Sequence, residues 1–118
     1  MTPKEMLDYC LAKPHAVMTL PFGVTPICVT LGGKIFAQIF PDRQMVTLKC
    51  ARAEGEFYRR QYPDAIRPGY HCPAVQRPYF NSVDLTKIED DALLLMADHA
   101  YESVLNKLSK KDRQLLTE

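Results

Sequence analysis

The sequence predicts an α+β domain, an antiparallel β-sheet of about five strands with helices packed on one face, in a single domain of residues 1–118. Short β-type runs, separated by turn residues, fill the chain between residues 16 and 50. Amphipathic segments of helical period lie near both ends and after residue 50. The links between the strands are too short for parallel crossovers, so we expect antiparallel pairing throughout.

The N-terminal segment predicts a helix. In TPKE, residues 2–5, the threonine can cap the glutamate amide, the glutamate can reach back, and proline takes the first helical position. Apolar residues then recur at helical spacing as far as Leu11. Pro14 closes the segment, because proline disfavours helical geometry in the residue before it.

Four β-type runs follow: AVMTL, ICVTL, KIFAQIF and MVTLKC. The pair Gly32-Gly33 predicts a hairpin between residues 26–31 and 34–40, since two glycines tolerate the positive φ angles of a tight primed turn. The fourth run alternates apolar and polar residues, as a half-buried strand does. Lys49 lies on its polar side, so we expect the lysine to face solvent or a ligand.

Residues 51–62 form a second amphipathic pattern, with Phe57 and Tyr58 expected inward and Arg59-Arg60 at the exposed edge. The stretch RPGYHCPAVQRP that follows, residues 67–78, holds three prolines and a glycine, which predicts an irregular loop. A fifth strand is expected at about residues 79–85, with Phe80 as a buried anchor.

The last third predicts a helix over roughly residues 89–106, with acidic residues in its first turn where the helix dipole favours them. Its apolar stripe comprises Leu93, Met96, Ala97, Ala100, Val104 and Leu108. The sequence SKKD, residues 109–112, ends this helix, and RQLL indicates a final short turn.

Composition and charge narrow the function classes only slightly. The formal net charge is +1, but residues 43–77 carry seven basic against three acidic side chains, a balance of +4, and residues 84–102 a balance of −5. The apolar runs are too short to cross a bilayer, and the start of the chain lacks the pattern of a secretory signal. We therefore expect a cytoplasmic protein that has no membrane span and whose four cysteines are free thiols.

Sequence motifs for catalysis or cofactor binding are weak. His71-Cys72 is the one place where a nucleophile and a base are neighbours, but adjacent side chains rarely point at each other. The histidines and cysteines lack the short spacing of a zinc site, and no phosphate-binding glycine motif occurs. We expect no metal, no cofactor and no enzymatic activity.

Basic side chains interleaved with aromatic ones in the middle of the chain suit a nucleic-acid surface, because cations pair with phosphates and rings pack on sugars or bases. The alternative without ligand binding is that the arginines form an ordinary solvent-exposed surface and the tyrosines pack the loop onto the sheet. The candidate DNA-binding residues are Lys34, Lys49, Arg52, Arg59, Arg67, Tyr70, His71, Arg77 and Tyr79.

Several separated stretches resemble the MmcQ/YjbR family of small bacterial proteins: LAKPHA, PFG, GGKIFA, VTLKC, YPDAIRPGYH, FNSVDL and DHAYESVLNKLSKKDR. The resemblance implies a CyaY-like α+β fold with a double-wing pair of hairpins and a DNA-binding, regulatory role, without cofactor or established enzymatic activity. Relatives commonly read PGYHxNKxHWN where this chain reads PGYHCPAVQRPYFN, so the loop is longer here and Phe80 takes the tryptophan position.

Our leading hypothesis is a protein that binds double-stranded DNA through its hairpins and central helix. The first alternative is a protein-interaction or small-ligand module, favoured by the near-neutral total charge and by an aromatic loop that can line a pocket. The second is an enzyme that uses His71 or Cys72.

Overall fold

The computed structural model describes residues 1–117. Four helices and six strands follow one another along the chain: α1 (Pro3–Leu11), β1 (Val17–Thr19), β2 (Ile27–Leu31), β3 (Lys34–Phe40), β4 (Met45–Lys49), α2 (Arg52–Gln61), β5 (Ile66–Pro68), β6 (Phe80–Asp84), α3 (Asp90–Leu105) and α4 (Lys110–Thr117). The α+β class is confirmed, with an antiparallel sheet and helices packed against it.

The sheet contains six strands in the order β1-β2-β3-β4-β6-β5, and every neighbouring pair is antiparallel. The expectation of about five strands missed β5, which consists of Ile66, Arg67 and Pro68 and pairs with β6 at the far edge. A three-residue strand that ends in proline carries no period-two signal of its own. Its pairing depends on a partner more than ten residues away in sequence.

Local signals in the sequence explain several boundaries. The capping box before α1 is present, with the Thr2 side chain accepting from the Glu5 amide at 3.1 Å. The β2–β3 hairpin turns at Gly32 and Gly33, whose φ angles are +57° and +79°. The register shifts between Val29 and Thr30, leaving Phe36 as an extra residue whose ring packs edge-on against Tyr101 of α3.

The hydrophobic core lies between one face of the sheet and the helices. Strand residues that contribute to it include Val29, Leu31, Ala37, Ile39, Val46, Leu48 and Val83. The stripe of apolar residues expected for the last helix is buried as expected, although Leu108 lies beyond the end of α3. The expectation that Phe57 faces inward was wrong, since the side chain is exposed, and Gly55 and Tyr58 form the buried side of α2.

Alternation places a polar row on the face that the helices do not cover: Cys28, Gln38, Thr47, Ser82 and Arg67 are paired in turn across five strands. Four of these five residues are nevertheless buried, and Arg67 is exposed. Part of this second face is therefore covered by another segment of the chain, and that segment contributes to the candidate sites.

Candidate functional site

The loop of residues 69–79, hereafter the bridging loop, lies over the polar face of the sheet. Its start is fixed where the Gly69 amide donates to the Phe80 carbonyl at 2.8 Å and the Cys72 amide donates to the Gly69 carbonyl at 2.8 Å. A Cβ atom at Gly69 would lie 2.8 Å from the Phe80 Cβ and 3.1 Å from the Cys72 sulfur. Glycine is therefore required for the loop to lie this close to β6.

The centre of the bridging loop is held to the sheet by a chain of three side chains. His71 Nε2 lies 2.6 Å from Thr47 Oγ1, which in turn lies 3.0 Å from Ser82 Oγ. The His71 ring also packs edge-on against Phe40, with ring centroids 4.9 Å apart. Burial and, secondarily, the nearby Arg43 guanidinium lower the pKa of His71 below its usual 6.5. His71 thus holds the bridging loop against the sheet. A solvent-exposed cavity lies on each side of this contact.

The first cavity, of about 530 Å³, is called the lysine pocket here. It is lined by Gly33, Lys34, Ile35, Lys49, Gln76, Tyr79, Phe80, Val104, Lys107 and Leu108. The hairpin tip, the end of β4, the bridging loop and the chain just after α3 all contribute to it. Three lysines line the cavity, and no aspartate or glutamate lines it among the residues that the structure describes.

Aromatic rings support the cations of the lysine pocket. Lys49 Nζ lies 4.8 Å from the centroid of the Phe80 ring and 5.3 Å from that of Tyr79, and Lys107 Nζ lies 5.8 Å from the Tyr79 ring. Burial, and next the charge of Lys107, lower the pKa of Lys49 below its usual 10.5. A bound anion would counter both causes of the lowered pKa. Its negative charge would stabilise the partly desolvated Lys49 ammonium group and offset the repulsion between Lys49 and Lys107.

The second cavity, of about 580 Å³, is called the arginine pocket here. Its lining residues are Arg43, Met45, Pro63, Asp64, Ala65, Arg67, Tyr70, Ser82, Asp84 and Lys87. Arg43 donates to the Tyr70 hydroxyl at 3.3 Å, and the Arg67 guanidinium lies 5.2 Å from the Tyr70 ring centroid. Cations and carboxylates are mixed in this cavity, in contrast to the lysine pocket.

Strand β3 separates the two cavities. Lys34 at its start lines the lysine pocket, and Arg43, three residues after its end at Phe40, lines the arginine pocket. Seven residues of extended chain span about 20 Å. The bridging loop contributes Gln76 and Tyr79 to one pocket and Tyr70 to the other. The stretch that contains His71 and Cys72 thus forms part of the wall of both pockets.

The nine candidate DNA-binding residues are not placed together. Lys34, Lys49 and Tyr79 line the lysine pocket, Arg67 and Tyr70 line the arginine pocket, and His71 lies between the two. The remaining three, Arg52, Arg59 and Arg77, line neither pocket.

Each of these three arginines contacts a neighbouring part of the protein. Arg59 donates to Asn81 Oδ1 at 2.7 Å, and Arg77 donates through Nε to the Cys72 carbonyl at 3.0 Å. Arg52 lies 3.9 Å from Glu56, one turn further along the exposed side of α2. Arg59 and Arg77 therefore stabilise the packing of α2 and of the bridging loop.

His71 and Cys72 are the two residues on which the enzyme alternative depends. The Cys72 sulfur is 3.9 Å from His71 Nδ1, the cysteine is buried, and burial raises the pKa of its thiol. No group of three or more histidine, cysteine or acidic side chains within residues 1–117 is arranged to hold a metal ion. All four cysteines are free and buried.

Seven of the ten lining residues of the lysine pocket were not among the nine candidates, and three of these seven carry polar or aromatic side chains: Gln76, Phe80 and Lys107. Phe80 was expected as a buried anchor, but it is half-buried and supports Lys49. Lys107 lies far along the chain, and only the packing of α3 on the sheet brings it to the hairpin tip. Period-two alternation in the fifth strand was the one signal available for Phe80, because it places this residue on the same face as Ser82.

No helix within the described part of the chain is both long and apolar enough to span a membrane.

Comparison with known proteins gives concordant results for sequence and structure. The YjbR family model matches residues 11–103. The "Uncharacterized protein YjbR" of Escherichia coli strain K12 is 27% identical over 121 residues, covering 100% of this chain and 99% of the relative. The same identity and coverage hold for the protein of that description in Escherichia coli O157:H7.

Two solved structures share the fold. The crystal structure of Deinococcus radiodurans protein DR2400, with a DUF419 domain, superposes with a TM-score of 0.83 at 25% identity, covering 98% of this chain and 88% of that one. A Pseudomonas syringae protein superposes with a TM-score of 0.67 at 15% identity, covering 85% of this chain and 96% of that one. At 15% identity, this second likeness concerns the fold alone.

Proposed function

The chain belongs to the YjbR family, and from that premise we propose that it is a nucleic-acid-binding protein whose contact site is the lysine pocket. The observation that carries this proposal is that Lys34, Lys49 and Lys107 line one cavity, and that no aspartate or glutamate lines it among the described residues. Phosphates are the anions that such a cluster attracts most strongly when several are linked in one chain.

The rings in the pocket favour a strand with unpaired bases. Tyr79 and Phe80 are each half-buried, so part of each ring remains accessible beside the ammonium groups. Bases can stack on such rings only where they are not enclosed in a duplex. The proposal therefore names a single-stranded segment as the preferred ligand.

The distribution of the basic residues supports the same choice. A duplex is held by phosphate contacts spread along an extended surface. Here the candidate cations are divided between two ends of the sheet, and Arg59 and Arg77 already donate to protein oxygens. A flexible strand needs a few contacts in one place, which the lysine pocket supplies.

Fluorescence anisotropy with a labelled single-stranded oligonucleotide at several salt concentrations tests the proposal. Each phosphate contact contributes about −0.7 to the log–log slope for single strands, so three contacts give a slope of about −2. Lys49→Gln should reduce the magnitude of that slope by about 0.7 and weaken binding at low salt. A duplex of the same sequence should bind more weakly than the single strand.

Arg52→Gln is the matched control, because it removes one positive charge from an exposed helix position outside the pocket. The proposal requires the control to bind like the unsubstituted protein. It is wrong if the oligonucleotide does not bind at low salt, or if Lys49→Gln and Arg52→Gln change the affinity and the slope equally.

The proposed function is binding without catalysis, and we propose that the protein acts in the cytoplasm. It is supported by the burial of Cys72, since a thiol with a raised pKa is a poor nucleophile near neutral pH. Four buried, unpaired cysteines also suit a reducing compartment. Slow labelling of Cys72 by iodoacetamide at neutral pH is the expected result, and fast stoichiometric labelling would favour an enzymatic role instead.

A further inference from the structure

The arginine pocket contains two guanidinium groups that the proposed nucleic-acid site does not use. Neither Arg43 nor Arg67 lies within 4 Å of a carboxylate of the described residues. Both instead lie against Tyr70, one at its hydroxyl and one over its ring. Neither group makes a close ion pair, although the charge of Arg67 is one of the smaller contributions to the lowered pKa of Asp84. Planar guanidinium groups that make no close ion pair in a cavity are well suited to bind carboxylates.

The two acidic residues of the pocket differ in availability. Asp84 accepts from the Thr86 amide at 2.9 Å and from its hydroxyl at 2.6 Å, and its second oxygen lies 3.9 Å from Lys87. The side-chain hydrogen bond from Thr86 is the main reason that the pKa of Asp84 is lowered. The Asp64 carboxylate has no hydrogen bond or ion pair with another side chain of residues 1–117, and it is exposed.

The floor of the pocket is polar and rigid. Ser82 is buried at 3% exposure yet lines the cavity, and its hydroxyl is fixed by Thr47 at 3.0 Å. Thr47 is itself held by His71, so the hydroxyl group cannot turn freely. A ligand in this cavity therefore shares the space with an oriented hydroxyl, two guanidinium groups and an exposed carboxylate.

We propose that the arginine pocket binds a small molecule that carries two carboxylates and one ammonium group, as an acidic amino acid does. Arg43 and Arg67 bind the carboxylates, and Asp64 binds the ammonium group. The free charges of the pocket, two positive and one negative, are then matched by a ligand of two negative charges and one positive charge. Two aspartates in the lining make the same cavity unfavourable for a polyphosphate strand.

This inference concerns a second site and does not rest on the proposed nucleic-acid role. The lysine pocket lies at the other end of β3, and the two cavities share no lining residue. Substitutions in one pocket can therefore test its ligand while the other pocket serves as an internal control.

Isothermal titration calorimetry of the whole protein with L-glutamate, and with glutarate as the same dicarboxylate without an ammonium group, tests the inference. Arg67→Gln should weaken L-glutamate binding roughly tenfold or more, because a charge-assisted hydrogen bond is lost. Asp64→Asn should weaken L-glutamate about tenfold while leaving glutarate binding unchanged or stronger. Lys49→Gln, in the lysine pocket, should leave L-glutamate binding unchanged.

All of these substitutions lie at half-buried or exposed positions, so the folded protein is expected in each case. The inference is overturned if L-glutamate gives no binding heat at about 10 mM, where a Kd of about 1 mM would fill most sites. It is equally overturned if Arg67→Gln binds as tightly as the unsubstituted protein, or if Asp64→Asn weakens glutarate as much as L-glutamate.

Discussion

The lysine pocket and the arginine pocket are built from similar side chains but differ in their acidic residues. Each has cations beside an aromatic ring, each receives residues from the bridging loop, and each lies at one end of the sheet. The lysine pocket has no carboxylate in its described lining, whereas the arginine pocket has Asp64 and Asp84. The three lysines give the lysine pocket a charge of +3, whereas three cations and two aspartates give the arginine pocket 3 − 2 = +1. A formal net charge of +1 for the chain does not reveal this difference.

The largest expected effect comes from disturbing the loop that the pockets share. Gly69→Val should lower the free energy of unfolding by about 3 kcal/mol, because its Cβ would overlap the Phe80 Cβ and press on the Cys72 sulfur. Both pockets should lose ligand affinity together, since the loop is a wall of each. Urea denaturation and the two binding assays give the answer.

Val75→Ala is the control for this experiment, because Val75 belongs to the same loop and is 82% exposed. Its unfolding midpoint should match that of the unsubstituted protein. If Gly69→Val alters one pocket and leaves the other unchanged, the two pockets do not share the loop as a common support.

A smaller effect is expected from the centre of the loop. Thr47→Val removes the hydroxyl between His71 and Ser82, which leaves the buried Ser82 hydroxyl and the more exposed His71 ring without that partner. We expect a loss of about 1–2 kcal/mol in the free energy of unfolding. Ligand affinity should fall more in the arginine pocket than in the lysine pocket, because Ser82 forms the floor of the arginine pocket. Equal stability of Thr47→Val and the unsubstituted protein would show that this contact contributes nothing.

The pH dependence of stability should carry a contribution from His71. Its pKa in the folded state is below the ordinary 6.5, so the unfolded state binds a proton first as pH falls. The contribution to stability is therefore present above about pH 6.5 and is lost as pH falls through the lower folded pKa. Urea midpoints measured from pH 7.5 to 5.5 should decrease less steeply for His71→Gln.

The carboxyls of Asp84 and Asp98 do not interfere with this measurement. Their pKa values are lowered from an ordinary 3.8, so their contributions are lost at a more acidic pH. Parallel pH profiles for His71→Gln and the unsubstituted protein would rule out His71 as a source of the slope.

The smallest effect separates the two pockets by their internal electrostatics. Lys107→Gln should raise the pKa of Lys49, because burial lowers that pKa first and the Lys107 charge lowers it further. The control is Lys87→Gln in the arginine pocket, which should leave the Lys49 pKa unchanged. NMR titration of the lysine side chains measures both, and an equal response to the two substitutions would contradict the placement of Lys107 beside Lys49.

The elements with local signals were predictable from the sequence. The capping box, the Gly32-Gly33 turn and the stripe of the last helix each depend on neighbours in sequence, and the structure confirms all three. Strand β5 and the exposure of Phe57 were not predicted. The buried side of α2 is set by the close approach of Gly55 to Cys50, where a Cβ atom would lie 2.6 Å from the sulfur.

The candidate site was predictable only in part, for the same reason. Lys34 begins β3 and Lys49 ends β4, and because these strands are antiparallel neighbours, both lysines lie at the same end of the sheet. Lys107 joins them only through the packing of α3, which no sequence spacing expresses. Whether an arginine is free or engaged was likewise undetermined, since Arg59 bonds to Asn81 across the fold.

The central claim is that the two ends of the sheet bind different ligands, and NMR mapping on one labelled sample tests it most directly. Titration with a single-stranded oligonucleotide should shift the backbone amides of Gly33, Lys34 and Gln76. Titration with L-glutamate should shift those of Asp64 and Arg67. Two separate sets of shifted amides are the predicted result, and perturbation of the same amides by both ligands would contradict the account.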